Sequence, residues 1–381
     1  MRLNPSDVIV RELLEPASAS CRQHFASNGE ISGKVFFEYA TFCTIQMEDQ
    51  HTLADTKRME ALHRNKQDEA SRYNEAIKYA EQRNDKNTAR KMTRDLDKAL
   101  KLQKMDKTEL QRLYTLQQTL LLKAIENFLR CFAACSDFDH YVPKFCAIWL
   151  KNSKQKNLYQ VIAKELPAVP CYKFLPLMHQ LCSRLSNERG DFQESLEKLI
   201  LRILNDHPFH AVHQVFSTIA SDGDEAASNR SRAAKALVDR MSHNPKIGTA
   251  SVHDISSKLH EQFSAYSDLA SLPVERNTQG GTDIPLNSYQ SLRRFRQQGL
   301  PSLLLPPPSM KIPVSPDCQY ATIPYVHKYN TTFRIAGGVN QPKILDCVLS
   351  NGNTFRELVN FFVAIVTTRS KVEMMTFIKM R

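Results

Sequence analysis

The chain has 381 residues, 42% of them hydrophobic and 24% charged, enough apolar surface to exclude a wholly disordered protein and enough length for two or three domains. Its 51 Lys and Arg outnumber its 40 Asp and Glu for a net charge of +11, but the two signs are interleaved and no stretch mixes aromatics with arginines as a stacking platform does, so direct nucleic-acid binding is not expected. Nine cysteines without a CxxC pair, no signal peptide and no apolar run near the roughly twenty residues a bilayer needs point to a soluble intracellular chain with reduced thiols and no membrane contact.

From Lys34 to Val142 there is neither glycine nor proline, which predicts an almost wholly helical stretch. Met92, Leu96 and Leu100, then Leu113, Leu116, Leu120 and Ala124, recur at steps of three and four and give each helix one buried stripe. Arg83-Asn84-Asp85-Lys86-Asn87 is the expected break, so the segment reads as a long antiparallel helical hairpin. Cys131, Cys135 and Cys146 cluster within it and just beyond, without a second ligand pair at zinc spacing, and no metal site is expected.

Shorter apolar helices follow at 123–135, 142–150, 172–185, 192–204 and 211–220. Asp191 with Glu194 has the spacing of a capping box, and Pro208 stands where a first helical turn accepts proline. His207, His210 and His213 lie at steps of three, which suits a partly exposed helix start better than a metal site. Trp149, the sole tryptophan, is a packing residue between helices. Successive helices without a strict period suggest an α-solenoid.

Ser221-Asp222-Gly223-Asp224-Glu225 is a polar loop, with helices expected at 230–241 and 252–269. Residues 273–311, rich in Pro, Gly, Gln and Ser, read as a linker. The pattern then turns to β at 323–329, 331–335 and 343–349, the last two separated by Gly337-Gly338 and Pro342.

Phe333-Arg-Ile-Ala-Gly-Gly-Val-Asn-Gln-Pro-Lys-Ile-Leu-Asp-Cys347 resembles strands of the small lobe in phosphatidylinositol-3-kinase-related protein kinases, and in detail the ATM type. Tyr172-Lys-Phe-Leu-Pro-Leu-Met178 with Gln180-Leu181 resembles the family's FAT domain, the helical collar that embraces the kinase. Ala124-Ile-Glu-Asn-Phe128, Trp149-Leu150 and Asp206-His-Pro-Phe-His210 fall in the same order. The resemblance implies a mainly α fold: a FAT-like helical repeat region over 1–272, a linker over 273–311 and a partial antiparallel β kinase small lobe over 312–359.

It also implies that Lys343, flanked by Pro342 and Ile344, contacts ATP, with His327 to Thr332 in a phosphate-facing loop. Ser350 to Asn353 would be a hairpin turn before a helix opened by Phe355-Arg-Glu-Leu-Val359. The whole enzyme would need ATP and Mg and transfer phosphate to Ser or Thr followed by Gln in the nuclear DNA-damage response, while this chain is not expected to hold them tightly. Residues 360–381 depart from the family and look like a frame change or a read-through intron. No Asp-Arg-His-x-x-Asn loop and no Asp-Phe-Gly occur; Asp137-Phe-Asp139 and Asp191-Phe-Gln193 lack the glycine. No catalytic residue is therefore assigned in the chain. The alternative reading is a non-catalytic helical scaffold that binds protein partners, with the kinase large lobe a partner if the full protein is made.

Overall fold

A computed structural model describes residues 8–24, 28–219, 225–243, 250–273, 282–296, 298–336, 341–359, 362–364 and 373–375. The chain divides into two compact units, Met1–Val169 and Pro170–Arg381.

In the first unit the helices are α1 (Glu15–His24), α2 (Gly29–Glu48), α3 (Gln50–Gln82), α4 (Lys86–Ala134), α5 (Val142–Lys151) and α6 (Lys156–Glu165). The break expected at 83–87 is where α3 turns into α4. Asn84 takes the left-handed conformation at φ 61°, and the Asp85 carboxylate accepts from Thr88 N at 3.1 Å, capping α4 as a short acidic side chain can. A second break, at Asp49, escaped the sequence reading. Its side chain accepts from both Thr52 N and Thr52 Oγ1 at 2.9 Å, so one aspartate ends α2 and caps α3.

Small residues are buried along the hairpin, Ala70, Ala80 and Ala99, and small side chains let two helices pack closely. Ala99 takes the inside position that the spacing had given to Leu100, which is 44% exposed. The stretch read as a separate helix from 123 is the last quarter of α4. There Phe128 and Phe132 stack at 5.9 Å, Phe132 meets Phe145 edge-on, and Phe145 adjoins Trp149 at 6.0 Å, all fully buried. Gly29 is required where α2 begins: a Cβ there would lie 2.2 Å from the Ala134 carbonyl oxygen.

The second unit contains α7 (Met178–Cys182), α8 (Asp191–Asp206), α9 (Pro208–Ile219), α10 (Glu225–His243) and α11 (Ala250–Ser271), then β1 (Asp283–Pro285), β2 (Val326–Ile335), β3 (Lys343–Leu349) and β4 (Thr354–Val359). A last pair, Phe362–Ala364 with Glu373–Met375, is antiparallel. Residues 171–177, expected as α-helix, form 3-10 turns with Pro176 inside them. Pro208 does open α9. The capping box does not form: Gly190 is the N-cap without a side-chain bond, and Asp191 and Glu194 sit in the first turn, where negative charge complements the helix dipole.

Strands β1 to β4 form one antiparallel sheet in that order. Its covered face shares a core with Ala265, Tyr266, Leu269 and Ala270 of α11. Leu286, Leu292, Phe295 and Leu300 belong to the same core, so part of the stretch read as a linker is packed interior. The two strands expected between 323 and 335 are one, with an irregular register between Tyr329 and Phe333. Phe355 to Val359 form a strand and not a helix. Leu349 N donates to Asn353 O at 2.8 Å across a turn in which Gly352 has φ 84°, and long-range pairing with β3 overrides the helical preference of Arg-Glu-Leu. The polar loop at 221–224 and Gly337-Gly338 lie outside the described residues, as do most of 360–381.

Candidate functional site

Side chains alternate along a strand, so each strand of this sheet gives one set to the covered face and one to the open face. On β3 the covered set is Lys343, Leu345, Cys347 and Leu349, all buried, and the open set is Ile344, Asp346 and Val348. On β4, Glu357 and Val359 are covered while Arg356 and Leu358 are open. The register Lys343↔Val359 and Leu345↔Glu357 therefore puts an ammonium and a carboxyl on the same buried side.

Lys343 is 5% exposed, and its Nζ donates to the Ala270 carbonyl at 2.9 Å. That carbonyl belongs to the last turn of α11, where a cation is favoured. Burial pulls the Lys343 pKa below its ordinary value. The resemblance implies a phosphate contact for Lys343, but in this arrangement the ammonium faces a helix end and not the open face. Ile344 is on the open face, and Pro342 sits just before β3, its carbonyl accepting from Ala336 N at 2.8 Å. His327 to Thr332, expected in a loop, lie within β2.

Sequence reasoning missed Glu357. It is fully buried and accepts from Ser309 N at 3.2 Å, from Ser309 Oγ at 3.0 Å and from the Tyr266 hydroxyl, which lies 3.1 Å from the Tyr329 hydroxyl. Burial pushes its carboxyl up to about 7, against the pull of these hydrogen bonds. The available signal was strand parity, Glu357 standing two residues before buried Val359, but it is invisible once the segment is read as a helix. On the open face, Asp346 accepts from Arg356 Nε at 2.7 Å and Arg334 Nη2 at 3.0 Å, and the two guanidinium groups hold its pKa down.

The three histidines are distinct in setting. His207 is buried and its Nδ1 lies 2.5 Å from the Tyr320 hydroxyl; His210 Nε2 bonds the Ile312 carbonyl at 2.9 Å. Burial pulls His213 down to about 4. Among the described residues no group of three or more His, Cys, Asp or Glu is placed to hold a metal ion, and no helix is long and apolar enough to cross a membrane.

No protein-family profile matches the chain. Individual relatives do. The chain is 33% identical over 359 residues, 94% of its length, to a serine/threonine-protein kinase tel1 of Emericella nidulans, of which it spans 12%. It is 29% identical over 276 residues to a serine-protein kinase ATM of Sus scrofa, covering 67% of this chain and 9% of that one. A solved structure described as the FAT and kinase domain of CtTel1 superposes with a TM-score of 0.78 at 28% identity, covering 94% of this chain and 23% of the other. The open conformation of CtTel1 matches with a TM-score of 0.80, also at 28% identity, over 94% of this chain and 13% of that one. The agreement runs through helices and sheet alike in nearly the whole chain, and places it, as a segment spanning about 12% of the tel1 relative's length, within the family of Tel1 and ATM serine/threonine-protein kinases.

Proposed function

We propose that the chain is the part of an ATM-type kinase that connects the helical collar to the first strands of the ATP-binding lobe. In the whole protein it would support phosphoryl transfer from Mg-ATP to Ser or Thr followed by Gln, in the nucleus, as part of the response to DNA damage. The observation that carries this reading is a four-stranded sheet built onto the last collar helix, within a chain matching Tel1 through both parts. The collar would offer surfaces to protein partners, and the catalytic aspartates and asparagine would come from the large lobe, since neither Asp-Phe-Gly nor an Asp-Arg-His-x-x-Asn loop occurs here.

Of the residues that the resemblance offers to ATP, Ile344 stands on the open face of the sheet. Lys343 would have to exchange the Ala270 carbonyl for a phosphate oxygen, and its surroundings support an anchoring role instead. Calorimetric titration of the chain with Mg-ATP is expected to give no affinity better than about millimolar. Lys343→Met keeps the aliphatic stem and removes the ammonium. It is expected to lower stability by about 1–3 kcal/mol, because the Ala270 carbonyl loses a charged donor, and to speed amide exchange in β3 and the end of α11. Micromolar, Mg-dependent ATP binding that Lys343→Met abolishes at unchanged stability would reject the anchoring role. It would also reject the view that this chain does not bind nucleotide by itself.

A further inference from the structure

Arg293, Arg294 and Arg296 fall within four residues, and with Gln298 and Gly299 they line one shallow concavity of about 520 Å³. All three arginines are exposed, while the residues between and beside them, Leu292, Phe295 and Leu300, are sunk in the core of the second unit. The alternation is imposed by 3-10 turns at Gln290–Phe295 and Leu300–Leu303. Gly299 locks the connection between them: its N–H donates to the Arg296 carbonyl at 2.9 Å, and a Cβ on it would lie 2.1 Å from the Arg294 carbonyl oxygen. The guanidinium groups therefore stand on a base anchored in the core through Leu292, Phe295 and Leu300.

Their neutralisation is incomplete. Arg294 faces Asp268 at 3.8 Å with both side chains nearly half exposed, a separation that leaves its donors open. Arg296 uses Nε on the Asn287 side-chain oxygen at 3.1 Å, which orients the group and leaves its terminal nitrogens for another acceptor. Arg293 pairs with no acid among the described residues. Cations do complement the end of a helical turn, but that accounts poorly for Arg296, which lies beyond it, and not at all for the crowding of three like charges. Elsewhere the long helices pair their charges locally, as in Lys66–Glu69, Arg112–Glu109 and Lys198–Glu194.

Planar guanidinium groups grip tetrahedral oxyanions through two parallel N–H bonds. We propose that Arg293, Arg294 and Arg296 form a recognition site for a phosphomonoester dianion, carried by a phosphorylated serine or threonine of a protein segment. The compactness of the cluster favours this ligand over nucleic acid: one concavity suits one concentrated charge, whereas a duplex is followed by a basic track that neutralises several phosphates. Kinases of this family generate the same chemical group as their product, so the site would read the product class of the reaction. The inference does not rest on ATP binding by the chain.

The test uses the full chain and a short alanine–glycine peptide carrying one phosphoserine, followed by fluorescence anisotropy at low salt. The phosphorylated peptide is expected to bind at least about tenfold more tightly than its unphosphorylated twin, as befits charge-assisted hydrogen bonds, and inorganic phosphate is expected to compete. The triple substitution Arg293→Gln, Arg294→Gln, Arg296→Gln should abolish that preference with an unchanged circular dichroism spectrum. If the triple variant misfolds, Arg293→Gln alone, which breaks no ion pair with a described residue, should still weaken binding severalfold. Equal binding of the two peptides, or a phosphopeptide preference that survives the substitutions, overturns the proposal. Displacement of the phosphopeptide by lower concentrations of duplex DNA, with a steep salt dependence, overturns it in favour of a phosphodiester site.

Discussion

Replacing Glu357 with glutamine is expected to flatten the pH dependence of the second unit's stability between about pH 4.5 and pH 7 and to stabilise it at pH 8. The carboxyl is held at about 7 in the fold, against about 4.3 for an exposed glutamate. Between these values the folded chain keeps a proton that the unfolded chain releases, so stability falls as pH rises and levels off above the folded pKa. A displacement of that size corresponds to about 3 kcal/mol as an order of magnitude. The amide introduced by Glu357→Gln keeps an acceptor for Ser309 and has a donor for the Tyr266 hydroxyl, which reproduces the protonated acid. The wild-type and variant chains should therefore converge near pH 4 and separate by about 3 kcal/mol at pH 8.

Other groups around the acid do not mimic this. Tyr266 of α11 and Tyr329 of β2 are driven well above their ordinary range by burial and by Glu357 itself, and the Cys347 thiol of β3 is pushed up to about 12. His213 has the opposite sign. Pulled down to about 4, it stays neutral in the fold while the unfolded chain takes up a proton below about 6.5, so its contribution is lost as pH falls. The difference between wild type and Glu357→Gln cancels the histidine. Urea unfolding at a series of pH values, read by amide exchange in β4, decides the matter, and parallel profiles for the two chains would show that Glu357 is already ionised in the fold.

The second large effect is expected in the first unit. Arg130 of α4, with a side chain 9% exposed, bonds Glu126 one turn earlier and Glu165 at the end of α6, the latter at 2.7 Å. Arg130→Ala takes the shared partner from two partly buried carboxylates and leaves Glu165 only the exposed Lys164 at 3.5 Å, and breaking a buried pair from one side costs about 3–5 kcal/mol. Because Trp149 is the sole tryptophan and lies in this unit's core, its fluorescence reports this unfolding selectively. The midpoint is expected to drop by roughly 6–20 °C, at about 2–4 °C per kcal/mol for a unit of this size. Glu165→Gln in the Arg130→Ala background should restore part of the loss. A cost under about 1 kcal/mol, the worth of an exposed ion pair, would show that water reaches the cluster.

Much of the helical part was legible because its signals are local. Asn84 and Asp85 announced a turn by their chemistry, Pro208 announced a helix start, and leucines at steps of three and four marked the inner face of α4 near Leu113 and Leu120. The break at Asp49 carries no comparable run of polar turn residues, yet an aspartate with a threonine three residues later suffices to end one helix and cap the next. Tyr172 to Leu177 carried a recognisable pattern of residues, yet they form 3-10 turns, with Pro176 removing a backbone donor and disfavouring α at Leu175.

The sheet was legible only in part. Strand β3 could be bounded from Lys343 to Leu349 because Gly337-Gly338 and Pro342 set it off from the strand before it, and the turn at Ser350 to Asn353 followed from the family resemblance. Strand β4 could not, since Arg-Glu-Leu favours a helix locally and becomes a strand only through partners ten to fourteen residues away in β3.

The amino-acid sequence by itself determined the mainly helical class, the hairpin, the change to β near residue 323 and the kinship with ATM-type kinases, because composition, periodicity and short motifs need no knowledge of distant neighbours. The tertiary structure alone decided which way Lys343 points, that Glu357 is an interior acid near neutrality, and that part of a Pro- and Gln-rich stretch is core with three arginines on its surface. Side-chain direction on a strand depends on which face another element covers, and a pKa depends on how much water that cover removes; both are set by long-range packing that no local stretch of sequence contains.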